Sequence, residues 1–172
     1  MRSLAKSSLL ISLLWLLAGC SDSGGDVSKG EGWVEHGPDL SQLQLTDLQG
    51  NHVVLSDYAG KSLVINFWAT WCAPCRHEMP ALQSLSDQLD PERYAVLGIT
   101  VDEDQNLAEE FLREQGISFK QFIDPQMVLA LSELKVRAFP ETFIVSSDGQ
   151  LLRRIVGARE WDKQSYYQSI LP

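Results

Sequence analysis

The order of hydrophobic and polar positions along the chain alternates between two kinds of segment. Short apolar runs, typical of strands buried on both faces, are separated by stretches in which apolar residues recur with helical spacing. The predicted strands are a period-2 hairpin at 40–61, with its turn at 49–51, and runs at 62–68, 94–101, 118–124, 141–147 and 151–157. The predicted helices are 72–89, 105–116, 125–134 and a last one near 159–171.

Strands that alternate with helices favour parallel pairing, whereas the two strands around the Asp148-Gly149 turn form an antiparallel edge. The pattern therefore predicts the α/β class, with a mixed β-sheet. The chain has 172 residues, 44% of them hydrophobic and 22% charged, which is ordinary for one domain. A chain of this length buries a core without disulfide bonds.

The first twenty residues follow a different pattern. Arg2 and Lys6 precede an apolar run at 9–18, which is too short to span a membrane and is typical of a secretory signal. Residues 17–20, Leu-Ala-Gly-Cys, resemble the lipobox of bacterial lipoproteins. This resemblance implies cleavage before Cys20 and lipidation of its thiol and its new amino group. The alternative is an ordinary secretory signal in which Cys20 lies near the end by chance.

These features divide the chain into a lipoprotein signal peptide at 1–19, a lipidated flexible tether at 20–38, rich in Gly, Ser and charge, and a domain at 39–172. Loss of the signal removes two positive charges and changes the net charge from −9 to −11. A protein with this much negative charge repels nucleic acid and anionic lipid. Membrane attachment must therefore come from the acyl chains. We expect a monomer anchored in the bacterial cell envelope with its domain in the periplasm. Ser21, rather than Asp, after Cys20 weakly favours the outer over the inner membrane.

The candidate chemistry lies in the stretch "NFWATWCAPCRHEMP" at 66–80, which contains Cys72 and Cys75. A structural zinc site needs four ligands, and the three histidines share no ligand-like spacing, so we expect no metal. A disulfide across so short a loop removes little entropy from the unfolded chain. These arguments favour redox chemistry.

A helix that begins at Cys72 places this sulfur where unpaired backbone N–H groups and the helix dipole stabilise a thiolate. Pro74 suits the first turn of a helix, and Cys75 lies one turn further in, where we expect it to be less exposed. We therefore expect Cys72 to attack the disulfide of a partner and Cys75 to resolve the mixed disulfide.

The segment "FWATWCAPC" after a buried strand, with "FPETF" downstream, resembles the thioredoxin superfamily. Within it the chain is similar to the TlpA/ResA-like branch of membrane-tethered thiol–disulfide proteins, which includes the cytochrome c maturation thioredoxins. The resemblance, over residues 40–172, implies a thioredoxin fold with an N-terminal β-hairpin extension and a central αβ insertion. It also implies a thiol–disulfide oxidoreductase with no cofactor beyond the Cys72–Cys75 disulfide. The implied partners are client protein disulfides and a DsbD/CcdA-like membrane thiol donor.

Glu78 is the candidate acid–base group. At about 100° per residue, it falls on the same arc of the first helix as the apolar residues. A carboxylate on the core side is costly unless it is solvated or paired, so the alternative is a rim position created by a kink at Pro80. The resemblance implies that Glu78 modulates the thiol pKa values and relays the proton of Cys75.

The resemblance also implies a cis peptide at Phe139-Pro140 that faces the cysteines and pairs with an extended substrate. The run Pro-Glu-Thr-Phe at 140–143 resembles that of the cytochrome c maturation members, although Glu141 is equally consistent with a solvated loop residue. Trp71 is expected to lie over the site as an apolar contact, and Trp68 to pack in the core.

Asn66 departs from thioredoxins proper, which have a buried aspartate in this strand. Because an amide does not titrate, the proton must pass to Glu78 or to water. The acidic run at 102–104 is interpreted as a cluster at a helix N-terminus, favoured by the dipole, or as a surface that faces partners.

A carboxylate near the cysteines disfavours the thiolate and so favours the disulfide, which makes the pair a reductant. The resemblance implies the same direction, with apocytochrome c or another exported protein as the client. Two other functions stay open: an oxidase, isomerase or peroxide-defence role on the same fold, and a binding module such as a copper chaperone.

Overall fold

A single eight-stranded sheet forms the centre of the computed structural model, which describes residues 31–34 and 37–172. The strands are β1 (Glu31–Trp33), β2 (Gln44–Asp47), β3 (His52–Val54), β4 (Ser62–Trp68), β5 (Tyr94–Thr100), β6 (Lys120–Ile123), β7 (Glu141–Val145) and β8 (Leu151–Val156). The helices are α1 (Ala73–Gln88), α2 (Gln105–Gln115) and α3 (Gln164–Ile170), with a 3-10 turn at Leu55–Tyr58 and a π-helical segment at Val128–Glu133. The predicted signal peptide and Cys20 lie outside the described residues.

The strand order is β1-β8-β7-β4-β5-β6-β2-β3. β4, β5 and β6 are parallel, whereas β7 and β8 add antiparallel strands on one side and the β2–β3 hairpin adds them on the other. This confirms the predicted mixed α/β sheet with its N-terminal hairpin and its αβ insertion of α2 and β6. The register places Trp68, Thr100 and Ile123 side by side, so the parallel strands end at one edge.

β1 was not expected. It pairs with β8, with Glu31 opposite Ile155 and Trp33 opposite Arg153. Residues 31–33 therefore belong to the sheet and not to the tether in which their composition placed them. An edge strand needs only free backbone N–H and C=O groups on its neighbour. Because the pairing does not depend on side chains, the strand need not show an alternating hydrophobic pattern in the sequence.

The helix predicted at 125–134 forms only in part. Met127 and Lys135, on either side of the π-helical segment, each have a left-handed backbone with a φ of 53°, which ends the regular helix at both sides. The last helix is also shorter than predicted and begins at Gln164. α2 ends as predicted, because Gly116 adopts the left-handed conformation (φ 65°) that caps a helix C-terminus.

The core packs the sheet against the helices, and the buried face of α1 in it contains Cys75, Glu78, Met79, Leu82 and Leu85. Trp68 is fully buried, as predicted. Among the described residues, none of the helices has the length and apolar character needed to cross a bilayer.

Candidate active site

The two cysteines form a disulfide at the start of α1. Cys72 is the N-cap residue of the helix, and its Sγ accepts a hydrogen bond of 3.3 Å from the backbone N–H of Cys75. Pro74 occupies the first turn, where a missing N–H has no helical partner to lose. Cys72 is 6% exposed and Cys75 is fully buried, which is the order expected for an attacking and a resolving sulfur.

Asp102 holds the loop that leads to Cys72. Its buried carboxylate accepts hydrogen bonds from the backbone N–H of Thr70 (2.9 and 3.1 Å) and from the Thr70 hydroxyl (2.7 Å). The Thr100 hydroxyl donates to the same carboxylate at 2.6 Å. Because β4 and β5 end side by side, this one side chain joins the ends of both strands. Within the acidic run at 102–104, only Asp104 caps α2.

Glu78 is buried, with 2% of its surface exposed, so the rim position considered as an alternative is wrong. Its Oε1 accepts a hydrogen bond of 2.8 Å from Asn66 Nδ2. Its Oε2 accepts from the backbone N–H of Arg159 at 3.0 Å and from Trp161 Nε1 at 2.9 Å. Three donors from two distant parts of the chain therefore surround the carboxylate, which explains how it is tolerated in the core.

Burial raises the pKa of Glu78 from 4.5 to about 6, while the three hydrogen bonds and the charge of Arg159 act in the opposite direction. Desolvation wins because it penalises the charged form more than the donors stabilise it. A carboxyl with a pKa of about 6 is mostly ionised at neutral pH and can accept a proton.

Asn66 lies on β4 opposite Thr142 of β7, and its Nδ2 donates to Thr142 Oγ1 at 2.9 Å as well as to Glu78. Its Oδ1 is buried without a hydrogen-bond partner among the described residues. The amide, which has no titratable proton, thus donates to the carboxylate.

The Phe139-Pro140 peptide is cis, as the resemblance implied. The pairing of Phe67 with Glu141 places this peptide beside the end of β4, where the cysteine loop begins. The ring of Phe139 contacts that of Trp71 edge to face, with centroids 5.7 Å apart. Trp71 is 61% exposed, so the two rings form an apolar surface that is open to solvent.

Glu141 is fully buried in β7, so the interpretation as a solvated loop residue is wrong. Its carboxylate pairs with Arg154 Nε at 2.7 Å and accepts from the backbone N–H of Arg137 at 2.7 Å. The other guanidinium nitrogens of Arg154 donate to the carbonyls of Leu134 and Lys135. This ion pair therefore stabilises the segment just before the cis peptide.

Sequence reasoning missed three parts of the site: Asp102, the donors at 159–161 and the Glu141–Arg154 pair. Only Asp102 carried a usable signal, because it comes directly after a buried parallel strand, at the edge where the cysteines lie. In the ranges 31–34 and 37–172, no group of three or more His, Cys, Asp or Glu side chains is arranged to hold a metal ion. The geometry provides a disulfide, a buried carboxylate and an apolar surface beside a cis peptide.

Comparison with known sequences agrees with this chemistry. The sequence profile of the AhpC/TSA family matches residues 36–154. The thiol-disulfide oxidoreductase ResA of Geobacillus kaustophilus is 35% identical over 140 residues, which cover 81% of this chain and 80% of that protein. A ResA of Bacillus cereus is 27% identical over 172 residues, covering 97% of this chain and 99% of that one.

Solved structures also resemble this one. A putative thiol:disulfide interchange protein DsbE from Chlorobium tepidum has a TM-score of 0.70 at 27% identity, over 80% of this chain and 96% of that one. A DsbF homologue from Corynebacterium diphtheriae has a TM-score of 0.71 at 26% identity, over 85% and 94% of the two chains. These neighbours have the thioredoxin fold that the sequence motif predicts.

Proposed function

The chain belongs to the AhpC/TSA family and is a thiol–disulfide oxidoreductase with a thioredoxin fold, and from this premise we propose that it reduces disulfides in exported client proteins. The observation that supports this direction is the buried carboxylate of Glu78, three residues after Cys75 on the same helix. Residues three apart on a helix are neighbours, so the charge of Glu78 lies close to the resolving sulfur.

The direction of electron flow follows from which redox form the protein stabilises. A negative charge near the cysteines disfavours a thiolate, whereas the disulfide is neutral and is unaffected. The ionised form of the reduced pair is therefore destabilised relative to the disulfide, which lowers the reduction potential wherever the reduced pair carries a thiolate. The pair then gives up electrons more readily than it takes them.

The reaction has two exchange steps. The Cys72 thiolate attacks one sulfur of a client disulfide, which forms a mixed disulfide and releases the first client thiolate. Glu78 then accepts the proton of the Cys75 thiol, and the Cys75 sulfur attacks Cys72 Sγ and releases the second client thiolate. Two electrons pass to the client, its thiolates take up protons, and the protein ends with the disulfide seen in this structure. A membrane thiol donor restores the dithiol.

The surface made by Trp71 and Phe139 suits an unfolded, extended segment of a client better than a folded partner. The exposed ring of Trp71 and the partly buried ring of Phe139 offer apolar contact, and the backbone before Pro140 offers hydrogen bonds to an extended chain. Apocytochrome c, the client that the family resemblance implies, fits this description, as does another exported protein with a cysteine pair.

We propose that acyl chains on Cys20 hold the domain at a membrane, where a tether raises its effective concentration near a membrane-borne donor. A Cys20→Ala variant should move from the membrane fraction to the soluble fraction of the envelope. Persistence of that variant in the membrane fraction would contradict the anchor.

The direction is tested by the reduction potential of the purified protein, equilibrated against thiol–disulfide buffers. A value at or below about −250 mV, near the thioredoxin end of the scale, is expected. The Glu78→Gln variant should be more oxidising, because it lacks the charge that disfavours the thiolate. A wild-type value near about −120 mV, as for a strong periplasmic oxidant, would replace the reductase with an oxidase.

Clients are identified by trapping. A Cys75→Ala variant cannot resolve the mixed disulfide, so it should retain clients on Cys72 that reductant releases. The Cys72→Ala/Cys75→Ala variant is the matched control and should retain none. Clients held equally by both variants would show that capture does not depend on Cys72.

A further inference from the structure

Trp161 lies in the segment between β8 and α3, outside every motif that marks the site. Its indole is fully buried, and its ring contacts that of Tyr166 edge to face at 5.5 Å. Its Nε1 donates a hydrogen bond of 2.9 Å to Glu78 Oε2. The side chain therefore contacts the candidate base directly, although 83 positions separate the two residues.

The segment at 157–161 contacts two parts of the site. At its start, the N–H of Gly157 donates to the carbonyl of Pro140 at 2.8 Å, with a φ of 87° that favours glycine. Two residues later, the N–H of Arg159 donates to Glu78 Oε2 at 3.0 Å, on the same oxygen as Trp161. Five residues thus join the cis peptide to the carboxylate.

We propose that Trp161 is a positioning residue for thiol–disulfide exchange: its indole N–H, with the backbone N–H of Arg159, fixes the Glu78 carboxylate and connects it to the Phe139-Pro140 peptide. This inference rests on the proposed role of Glu78 as the base for Cys75. Trp161 touches neither the sulfurs nor a client in this assignment and acts only through Glu78.

The same segment forms one wall of a groove of about 480 Å³ that leads from Glu78 to solvent. α1 forms the other wall, with Pro80, Ala81 and Ser84. The lining does not include Trp71 or Phe139, which form the apolar surface beside the cis peptide. The groove therefore reaches Glu78 without passing the surface that Trp71 and Phe139 form.

The charge around Glu78 comes from α1 and from the stretch at 157–162. The titratable and charged groups that face it or line the groove are Cys75, His77, Arg159, Glu160 and Asp162. The groups that β4 and β7 contribute on this side are uncharged: Asn66 donates to the Glu78 carboxylate, and Thr142 accepts a hydrogen bond from Asn66. Removal of the indole N–H changes none of these charges. Any resulting shift in the pKa of Glu78 can therefore be attributed to the lost hydrogen bond.

The test replaces Trp161 with Phe, which removes the N–H donor and keeps an aromatic ring. A hydrogen bond to a charged acceptor stabilises the ionised form, so its loss should raise the pKa of Glu78 by about one pH unit, a tenfold change. Carbon-13 NMR of labelled carboxyl groups measures this value in the oxidised protein, and the resonance is assigned by its loss in Glu78→Gln. An unchanged pKa in Trp161→Phe would overturn the inference.

Trp68→Phe is the matched control. Trp68 is also a fully buried tryptophan, and its Nε1 also donates to a side-chain oxygen, but this oxygen belongs to Gln121, at 3.0 Å, and not to Glu78. Trp68→Phe should leave the pKa of Glu78 unchanged. An equal shift in both variants would mean that the effect is a general loosening of the core, and it would overturn the inference.

The pH profile of the rate at which the reduced protein reduces oxidised glutathione gives the second readout. Trp161→Phe should move its inflection upward, and Trp161→Phe/Glu78→Gln should have the same profile as Glu78→Gln alone. An effect of Trp161→Phe that persists without Glu78 would overturn the inference and leave the proposed function intact. A Glu78→Gln profile equal to that of the wild type would overturn the proposed role of Glu78 and the inference with it.

If Trp161→Phe does not fold, site-specific incorporation of benzothienylalanine at position 161 keeps the shape of the indole and removes only the N–H. The same upward shift of about one pH unit is expected. A folded isosteric variant with the wild-type profile would overturn the inference.

Discussion

Replacing Glu78 with Gln should change how the stability of the oxidised protein depends on pH. The pKa of this carboxyl is raised by burial from 4.5 to about 6, so the folded state binds its proton more tightly than the unfolded state. The extra proton affinity of Glu78 therefore stabilises the folded protein fully below about pH 4.5. This stabilisation disappears as the pH rises through about 6. The difference between the two values corresponds to about 2 kcal/mol.

The assay is urea unfolding of the oxidised wild type and of Glu78→Gln at several pH values on both sides of this window. Titration of every other carboxyl is common to the two proteins and cancels in the difference. The variant should become more stable relative to the wild type by about 2 kcal/mol from the acidic to the neutral end.

The same substitution at Glu110, which is exposed on α2, is the control and should leave the pH dependence as in the wild type. A difference between Glu78→Gln and the wild type that is flat across the window would refute the reasoning. So would a difference of opposite sign, since it would mean that the donors around Glu78 outweigh its desolvation.

Three other substitutions test the rest of the site. Asn66→Asp places a second carboxylate within 2.8 Å of Glu78, so the pair should retain one proton at neutral pH; carboxyl NMR that shows both ionised would contradict this. Arg154→Met leaves the Glu141 carboxylate buried without its cation and should lower the free energy of unfolding in urea by about 3–5 kcal/mol. A loss well below this range would mean that the backbone N–H of Arg137 suffices to hold the carboxylate. Asp102→Ala leaves buried donors unpaired and should cost about 2 kcal/mol, with slower exchange in a dithiothreitol oxidation assay; unaltered exchange would show that the cysteine loop does not depend on it.

The sequence alone determined the features that depend on near neighbours along the chain. The apolar runs predicted the buried strands of the sheet, and helical periodicity placed Glu78 on the buried face of α1. The position of Cys72 at a helix N-terminus followed from the proline and the spacing of the motif. These features are local, because a side chain's direction on a strand or a helix depends only on the repeat of that element.

The partners of these residues were decided by the tertiary structure. The donors to Glu78 come from Asn66, Arg159 and Trp161, which are 12, 81 and 83 positions away. Periodicity shows that a side chain faces inward, but not which groups it meets there. That depends on strand register and on the paths of the connecting segments.

The same reason accounts for the errors at Glu141 and at β1. Glu141 is buried because Arg154, on the neighbouring strand β8, provides its counter-charge, and β1 joins the sheet because the edge of β8 is available to it. Neither condition is visible in the residues around Glu141 or in the residues of β1. A buried charge and an edge strand both depend on a partner that is distant in sequence, and only the folded chain brings the two together.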